Sequence, residues 1–443
     1  MVLAIFEERP TRPVPTSLAA ALVGAVALAV LAPSASAQAG GLDSSFGGDG
    51  KVRTDFSDRA DAATSIAVQT NGKIVVAGIS GDGSSNPKFA LARYNTDGSL
   101  DATFGGDGEV RTDFTTRYDG AWGVAIDSTG KIVAAGDAGL GSGNSKFAVA
   151  RYNSDGSLDT SFGGDGKVTT QFTSRDDPVA GLTIAAGDKI LVSGGAAFTG
   201  SNPKFAVARY NTNGSLDETF GGDGRVTTDL TAGRDYANAV AVQTDGKILA
   251  AGLGSPSQGR ASFALVRYRD TGALDTTFSR DGKVLTNFTS WNDSGQNIAI
   301  QPTDEIVVAG IAGSGGADPA FALVRYTPAG RLDATFGGDG KVKTQFTGGY
   351  DAAYDLALQA DGKIVAGGEA AGSGVRFAAA RYGSDGALDT TFGGDGRVTT
   401  DFTAQADFAL AVALDLNGKL VLAGGAGWGG SNPKVGLARY LTM

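Results

Sequence analysis

Residues 109–114 read Glu-Val-Arg-Thr-Asp-Phe, with Val110, Thr112 and Phe114 on one side and Glu109, Arg111 and Asp113 on the other. A period of two with one polar side describes a strand with one wet face. Residues 123–127 are small and mostly apolar, and Ser128-Thr129-Gly130 turns the chain. Residues 131–136 (KIVAAG) are a near-continuous apolar run, as in a strand buried on both faces. A polar, Gly-rich loop leads to residues 146–152 (KFAVARY), and Asn153-Ser154-Asp155-Gly156 closes the unit with a turn. The unit therefore predicts four short antiparallel strands and no helix.

The unit recurs. Phe-Gly-Gly-Asp-Gly places its Phe at 46, 104, 162, 220, 278, 336 and 392, with only the fifth copy altered to Phe278-Ser279-Arg280-Asp281-Gly282. Repeats starting near 42, 100, 158, 216, 274, 332 and 388 fill residues 38–443 as one domain. Seven four-stranded units predict an all-β, seven-bladed β-propeller. Small residues suit the crowded axis, so residues 65–69, 239–243, 297–301 and 411–415 are read as innermost strands. The wet-faced residues 51–56 and 109–114 are read as outermost strands. On that phase the chain starts with an outer strand and ends with a third strand. The N-terminal strand then completes the last blade, which closes the ring and removes free sheet edges. A closed ring of this kind is expected to be a monomer.

The pattern [VI]-A-x-Q-x-[DN]-G-K-I, then Ala-Gly, then Phe-Ala-x-x-Arg-Tyr-Asn-x-[DN]-Gly-Ser-Leu-Asp-x-[TS]-Phe-Gly is clear at residues 68–74, 89–104 and 205–220. It resembles the delta-60 repeat of bacterial secreted and surface proteins, over about nine-tenths of the chain. The resemblance implies a propeller with an extracytoplasmic address. It supplies no catalytic residues to transfer.

The N-terminus agrees with that address. Residues 18–31 are an apolar run of Leu, Ala and Val with one Gly, preceded by Arg9 and Arg12 and followed by Ala35-Ser36-Ala37. This is the layout of a secretory signal peptide over residues 1–37. The run is short of the roughly 20 residues that span a bilayer. The protein is therefore expected to be secreted, with no membrane association once the peptide is removed.

Composition narrows the chemistry. There are no cysteines and no histidines, which excludes disulfides, Cys/His zinc sites and triads built on His. A net charge of −10 without a basic run argues against nucleic acid as a partner. No cofactor is expected. Asn95-x-Asp97-Gly98-x-x-Asp101, with Asp107 nearby, leaves a structural Ca²⁺ loop as the alternative to a hairpin turn.

Three polar positions repeat in every unit. One is Arg93, Arg151, Arg209, Arg267, Arg325, Arg381 and Arg439, on a strand side shared with apolar residues. Such an Arg needs a carboxylate or carbonyls, which makes the Asp of Leu-Asp its structural partner: Asp43, Asp101, Asp159, Asp217, Asp275, Asp333 and Asp389. The third set includes Asp119, Asp235, Asp293 and Asp351. These Asp residues are read either as a second structural set or as a ring at the channel mouth.

One end of the ring carries uniform turns and the other variable loops. Trp122, Trp291, Trp428, Tyr118, Tyr236 and Tyr350 are all assigned to the variable end. Ligand contacts are expected there, from those aromatics and from Asp119, Asp235, Asp293 and Asp351, because binding residues gather on loops held by a rigid scaffold. The expected function is a non-enzymatic scaffold for a protein or polysaccharide at the cell surface. The alternative is a glycan hydrolase or lyase using two of those carboxylates, which would need unlike environments.

Overall fold

The computed structural model describes residues 38–82, 86–141, 143–200, 202–256, 259–316 and 318–443. The signal peptide assigned to residues 1–37 lies outside them. The described chain forms seven four-stranded antiparallel sheets arranged as a propeller, with a single 3-10 turn at Ala186–Asp188. Blade 1 runs Ala60–Val68, Ile74–Asp82, Lys88–Tyr94 and Glu109–Thr112 from the axis outward. The inner strands of blades 2 to 7 are Tyr118–Ile126, Val179–Ala185, Arg234–Val242, Asn292–Ile300, Tyr350–Leu358 and Ala406–Leu414. Blade 7 takes its outer strand from the N-terminus, where Lys51–Thr54 pairs with Lys434–Tyr440.

Inner strands begin about five residues earlier than the alternation indicated. Each contains a β-bulge that breaks the period. In blade 1, Ala63 pairs with Gly78 and Ser65 with Ala77, leaving Thr64 unpaired between them. The same skip occurs at Trp122, Ala180, Asn238, Gln296, Tyr354 and Leu410. The glycine opposite the bulge is required. A Cβ on Gly78 would stand 1.9 Å from the Ala62 carbonyl oxygen.

The Arg-Tyr dipeptide of each third strand locks neighbouring blades together. Arg93 Nε donates to Asp101 Oδ2 at 2.6 Å and Nη2 to Thr103 Oγ1 at 3.0 Å. Its Nη1 reaches the Ser154 carbonyl in the following blade. The guanidinium also lies over the Phe104 ring at 4.7 Å, so the Phe of Phe-Gly-Gly-Asp-Gly is both core and cation platform. Tyr94 turns the other way and its hydroxyl donates to Thr54 Oγ1 of the preceding blade at 2.8 Å. The Arg–Asp pair recurs as 151–159, 209–217, 267–275, 325–333, 381–389 and 439–43, at 2.7 to 2.9 Å. Burial alone would raise the seven Asp carboxyls, yet hydroxyl, amide and cation contacts hold all of them below the usual carboxylate range.

Left-handed backbone carries the Gly-Gly-Asp-Gly turn. A Cβ on Gly105 would sit 2.0 Å from the Glu109 carbonyl oxygen. In the fifth copy Ser279 and Arg280 adopt φ values of 49° and 78° without glycine.

Removing one buried partner should cost far more than breaking a surface pair. Asp275→Ala leaves Arg267 buried against no carboxylate and is expected to lower unfolding free energy by about 3–5 kcal/mol. Lys204→Ala removes only the exposed pair with Asp229 and should cost under about 1 kcal/mol. Urea denaturation of both variants measures the contrast.

Candidate functional site

The structure splits the expected binding residues into three groups. Asp119, Asp235, Asp293 and Asp351 are fully buried and do not reach the channel mouth. Asp119 Oδ2 accepts from the amides of Phe114 and Thr115, and Oδ1 from Thr115 Oγ1 and the Gly139 amide, at 2.7 to 2.9 Å. Asp293 accepts the matching four donors, while Asp235 and Asp351 accept three, two amides and a Thr hydroxyl, on the chain that crosses between blades. Their placement at a ligand surface is therefore corrected. A buried carboxylate committed to three or four donors at a chain crossing is not presented to a ligand.

Trp122 and Tyr236 form a second group, on inner strands rather than loops. Tyr236 is buried and its hydroxyl donates to the Val179 carbonyl at 3.1 Å. Trp122 is the bulged residue of blade 2, and its indole N–H donates to Asp137 Oδ2 at 2.6 Å. Tyr118 and Tyr350, half-buried, start their inner strands at the variable end.

Trp291 and Trp428 also keep a position at the variable face, outside the inner-strand bulges. Trp291 is 46% exposed, and the Arg260 guanidinium of the neighbouring loop stacks on it at 4.7 Å. Trp428 is half-buried against Phe408, with ring centroids 5.5 Å apart, beside Asp58, Arg59 and Gly429.

The axis holds a feature absent from the expectations. The seven bulged residues are Thr64, Trp122, Ala180, Asn238, Gln296, Tyr354 and Leu410, all different, and all line one cavity of about 110 Å³. A bulge re-aims a side chain out of the sheet pattern, here toward the axis. The neighbouring column of the repeat, from Ala63 to Ala409, holds only Ala, Val or Gly. Symmetry is thus kept where strands crowd and discarded where side chains reach the cavity.

Two blades carry acids beside it. At the position of Ile79 in blade 1, blade 2 has Asp137 and blade 6 has Glu369. Each serves its own bulged aromatic, since Tyr354 hydroxyl donates to Glu369 Oε1 at 3.0 Å. Burial pushes the Asp137 carboxyl up to about 7, opposed by donation from the Val179 amide and Trp122. Asp355 follows Tyr354 and keeps some solvent contact through the cavity. Desolvation pushes it to about 7 as well, against bonds from the amides of Val412 and Leu356 and from Asn297. A column-by-column comparison of the repeats carries the signal for this cavity, because the bulge column is the one that never agrees.

The candidate Ca²⁺ loop has turn geometry at residues 96–98. The Gly98 amide donates to the Asn95 carbonyl, Asp97 accepts from Ser99, and Asp101 is already met by Arg93 and Lys73. Among the described residues, no group of three or more acids converges.

Six segments, residues 69–104, 128–162, 188–220, 243–278, 301–336 and 359–392, match the profile of a β-propeller domain of unknown function, DUF5122. The chain is thus assembled from copies of a β-propeller repeat. No curated protein matches it significantly. Among solved structures, it is similar to a catalytically inactive histidine-to-alanine variant of virginiamycin B lyase from Staphylococcus aureus with quinupristin, at 11% identity and a TM-score of 0.51. That match covers 88% of this chain and 98% of the lyase. A streptogramin B lyase is similar at 10% identity and a TM-score of 0.51, covering 88% and 97%. At such identities the likeness is one of fold.

The pH dependence of stability tests the burial of Asp137. The folded state holds that proton up to about pH 7, whereas the unfolded chain releases it near 4. The native protein should therefore lose stability relative to Asp137→Asn as pH rises from 4 to 7, by about 4 kcal/mol in total. Paired denaturation curves at pH 4, 5.5 and 7 measure it.

Proposed function

We propose that this chain is an extracellular, non-catalytic β-propeller that binds a protein or polysaccharide through its variable loop face. The observation that carries the reading is Trp291. It is a large aromatic left 46% exposed with a guanidinium stacked on it. Two residues before the loop that bears it, Leu285 is 45% exposed on the outer strand of blade 4. Exposed aromatic surface beside a fixed cation suits a sugar ring or a peptide side chain. The rigid Arg-locked ring behind it would hold the platform still. The apolar run and small-residue motif within residues 1–37 support export.

Binding is favoured over glycan cleavage on two grounds. The carboxylates expected to act, Asp119, Asp235, Asp293 and Asp351, are committed to backbone amides. The similarly folded lyase is inactive as a histidine-to-alanine variant, and this chain has no histidine to place in that role. A like fold does not bring a like activity.

A glycan array combined with capture from cell-surface extracts is expected to yield ligands whose binding falls at least tenfold in Trp291→Ala and in Arg260→Ala. Reducing-sugar release from any bound glycan would favour cleavage instead. Unchanged binding of every captured ligand by both variants would overturn the proposal.

A further inference from the structure

We infer that the axial cavity is a second binding site, built for a small primary ammonium such as a short alkylamine. The cavity is electron-rich and has no compensating cation, since its lining contains no Lys or Arg. Its two sides differ. Trp122, Ala180 and Leu182 form an apolar side over blades 2 and 3, where Gly123 and Gly181 keep the wall thin. Asn238, Gln296, Asn297 and Asp355 form a polar side over blades 4 to 6.

The polar side converges on one peptide segment. Asn238 Nδ2 donates to the Gly295 carbonyl at 2.6 Å, and Asp355 Oδ1 accepts from Asn297 Nδ2. The amide of blade 4 and the carboxylate of blade 6 thus flank Gln296 from either side. Asn238 is only 4% exposed, and its Oδ1 meets no donor in the protein. That oxygen has almost no accessible surface, so a ligand N–H reaches it only when the Asn238 amide turns toward the cavity. Ser193 Oγ, also buried and without a partner, lies 2.6 Å from where a Cβ would stand on Gly181 at the cavity wall. Sibling blades carry Ala or Gly at the Ser193 position, so the hydroxyl is not part of the repeat.

These features select the ligand. An ammonium supplies charge and an N–H donor to Asp355, and a second donor to Asn238 Oδ1 once that amide turns toward it. Its alkyl tail would lie against Leu182 and Trp122 on the apolar side. The net charge of −10 favours cation approach. Size sets the limit: a cavity of about 150 Å³ admits benzene, so this smaller one takes about five non-hydrogen atoms.

The test is a titration of the full-length protein with propylammonium chloride, against potassium chloride and the neutral isostere 1-propanol. The indole N–H of Trp122, assigned by Trp122→Phe, is followed by NMR. Saturable shifts with a Kd on the order of 1 mM are expected for propylammonium, and at least tenfold weaker ones for 1-propanol. Asn238→Ala and Asp355→Ala should each weaken binding tenfold or more. Both install a residue that sibling blades carry at the same position, Ala180 and Ala239, so the fold has precedent for them. Trp291→Ala should change nothing here, which separates this site from the loop face. No saturable shift, equal binding of 1-propanol, or unaltered binding by both axial variants would overturn the assignment, with the cavity then holding water only.

Discussion

Everything in this propeller depends on placing a guanidinium in a nearly dry seam between blades. A buried Arg is costly unless every N–H is met. The repeat meets most of them with an Asp, a hydroxyl and a carbonyl of the following blade, and lays the cation over a buried Phe. The Tyr one position on bonds backward to the preceding blade. One dipeptide therefore fixes each blade against both neighbours. Because the partners come from two blades, no blade can satisfy its own Arg, and the copies are stable only together. The same logic closes the ring. Arg439, near the C-terminus, depends on Asp43 near the N-terminus and on the Thr96 carbonyl of blade 1.

That rigidity lets the axis depart from symmetry. With blades held from the rim, the inner strands need only small residues at the Ala63 column to pack. The bulged residue beside it carries no ladder bonds, so its identity is free to vary. Seven blades have used that freedom in seven ways, and two have added an acid behind an aromatic. The second Asp set, from Asp61 to Asp407, secures the chain where it crosses from one blade to the next, with its oxygens on backbone amides. Two rings of carboxylates with the same period thus do opposite electrostatic work: one neutralises buried cations, the other terminates strand ends.

Much of this was legible in the residues. The Phe-Gly-Gly-Asp-Gly period gave the blade count, the alternation gave the outer strands, and Lys51 to Thr54 gave the mode of closure. The repeated Arg pointed to a carboxylate. The errors cluster at residues 60–64 and their equivalents, where an inserted residue interrupts alternation and a strand looks like a loop. Tyr236, Trp122 and the Asp119 set were consequently assigned to an exposed face. Trp291 is exposed because it precedes the strand and lies outside the bulge.

The sequence alone therefore determined the architecture, since hydrophobic period and repeat length are properties of the chain and survive without coordinates. It also carried the variability of the bulge column, as a list of seven unlike residues without a location. Only the tertiary structure decided that these seven meet around one axis, that Asn238 and Asp355 flank Gln296 from different blades, and that the Asp119 set faces inward. The reason is geometric. Residues about 58 apart become neighbours only when consecutive blades pack, and a one-residue bulge reverses which way a side chain points without changing the composition from which its exposure would be inferred.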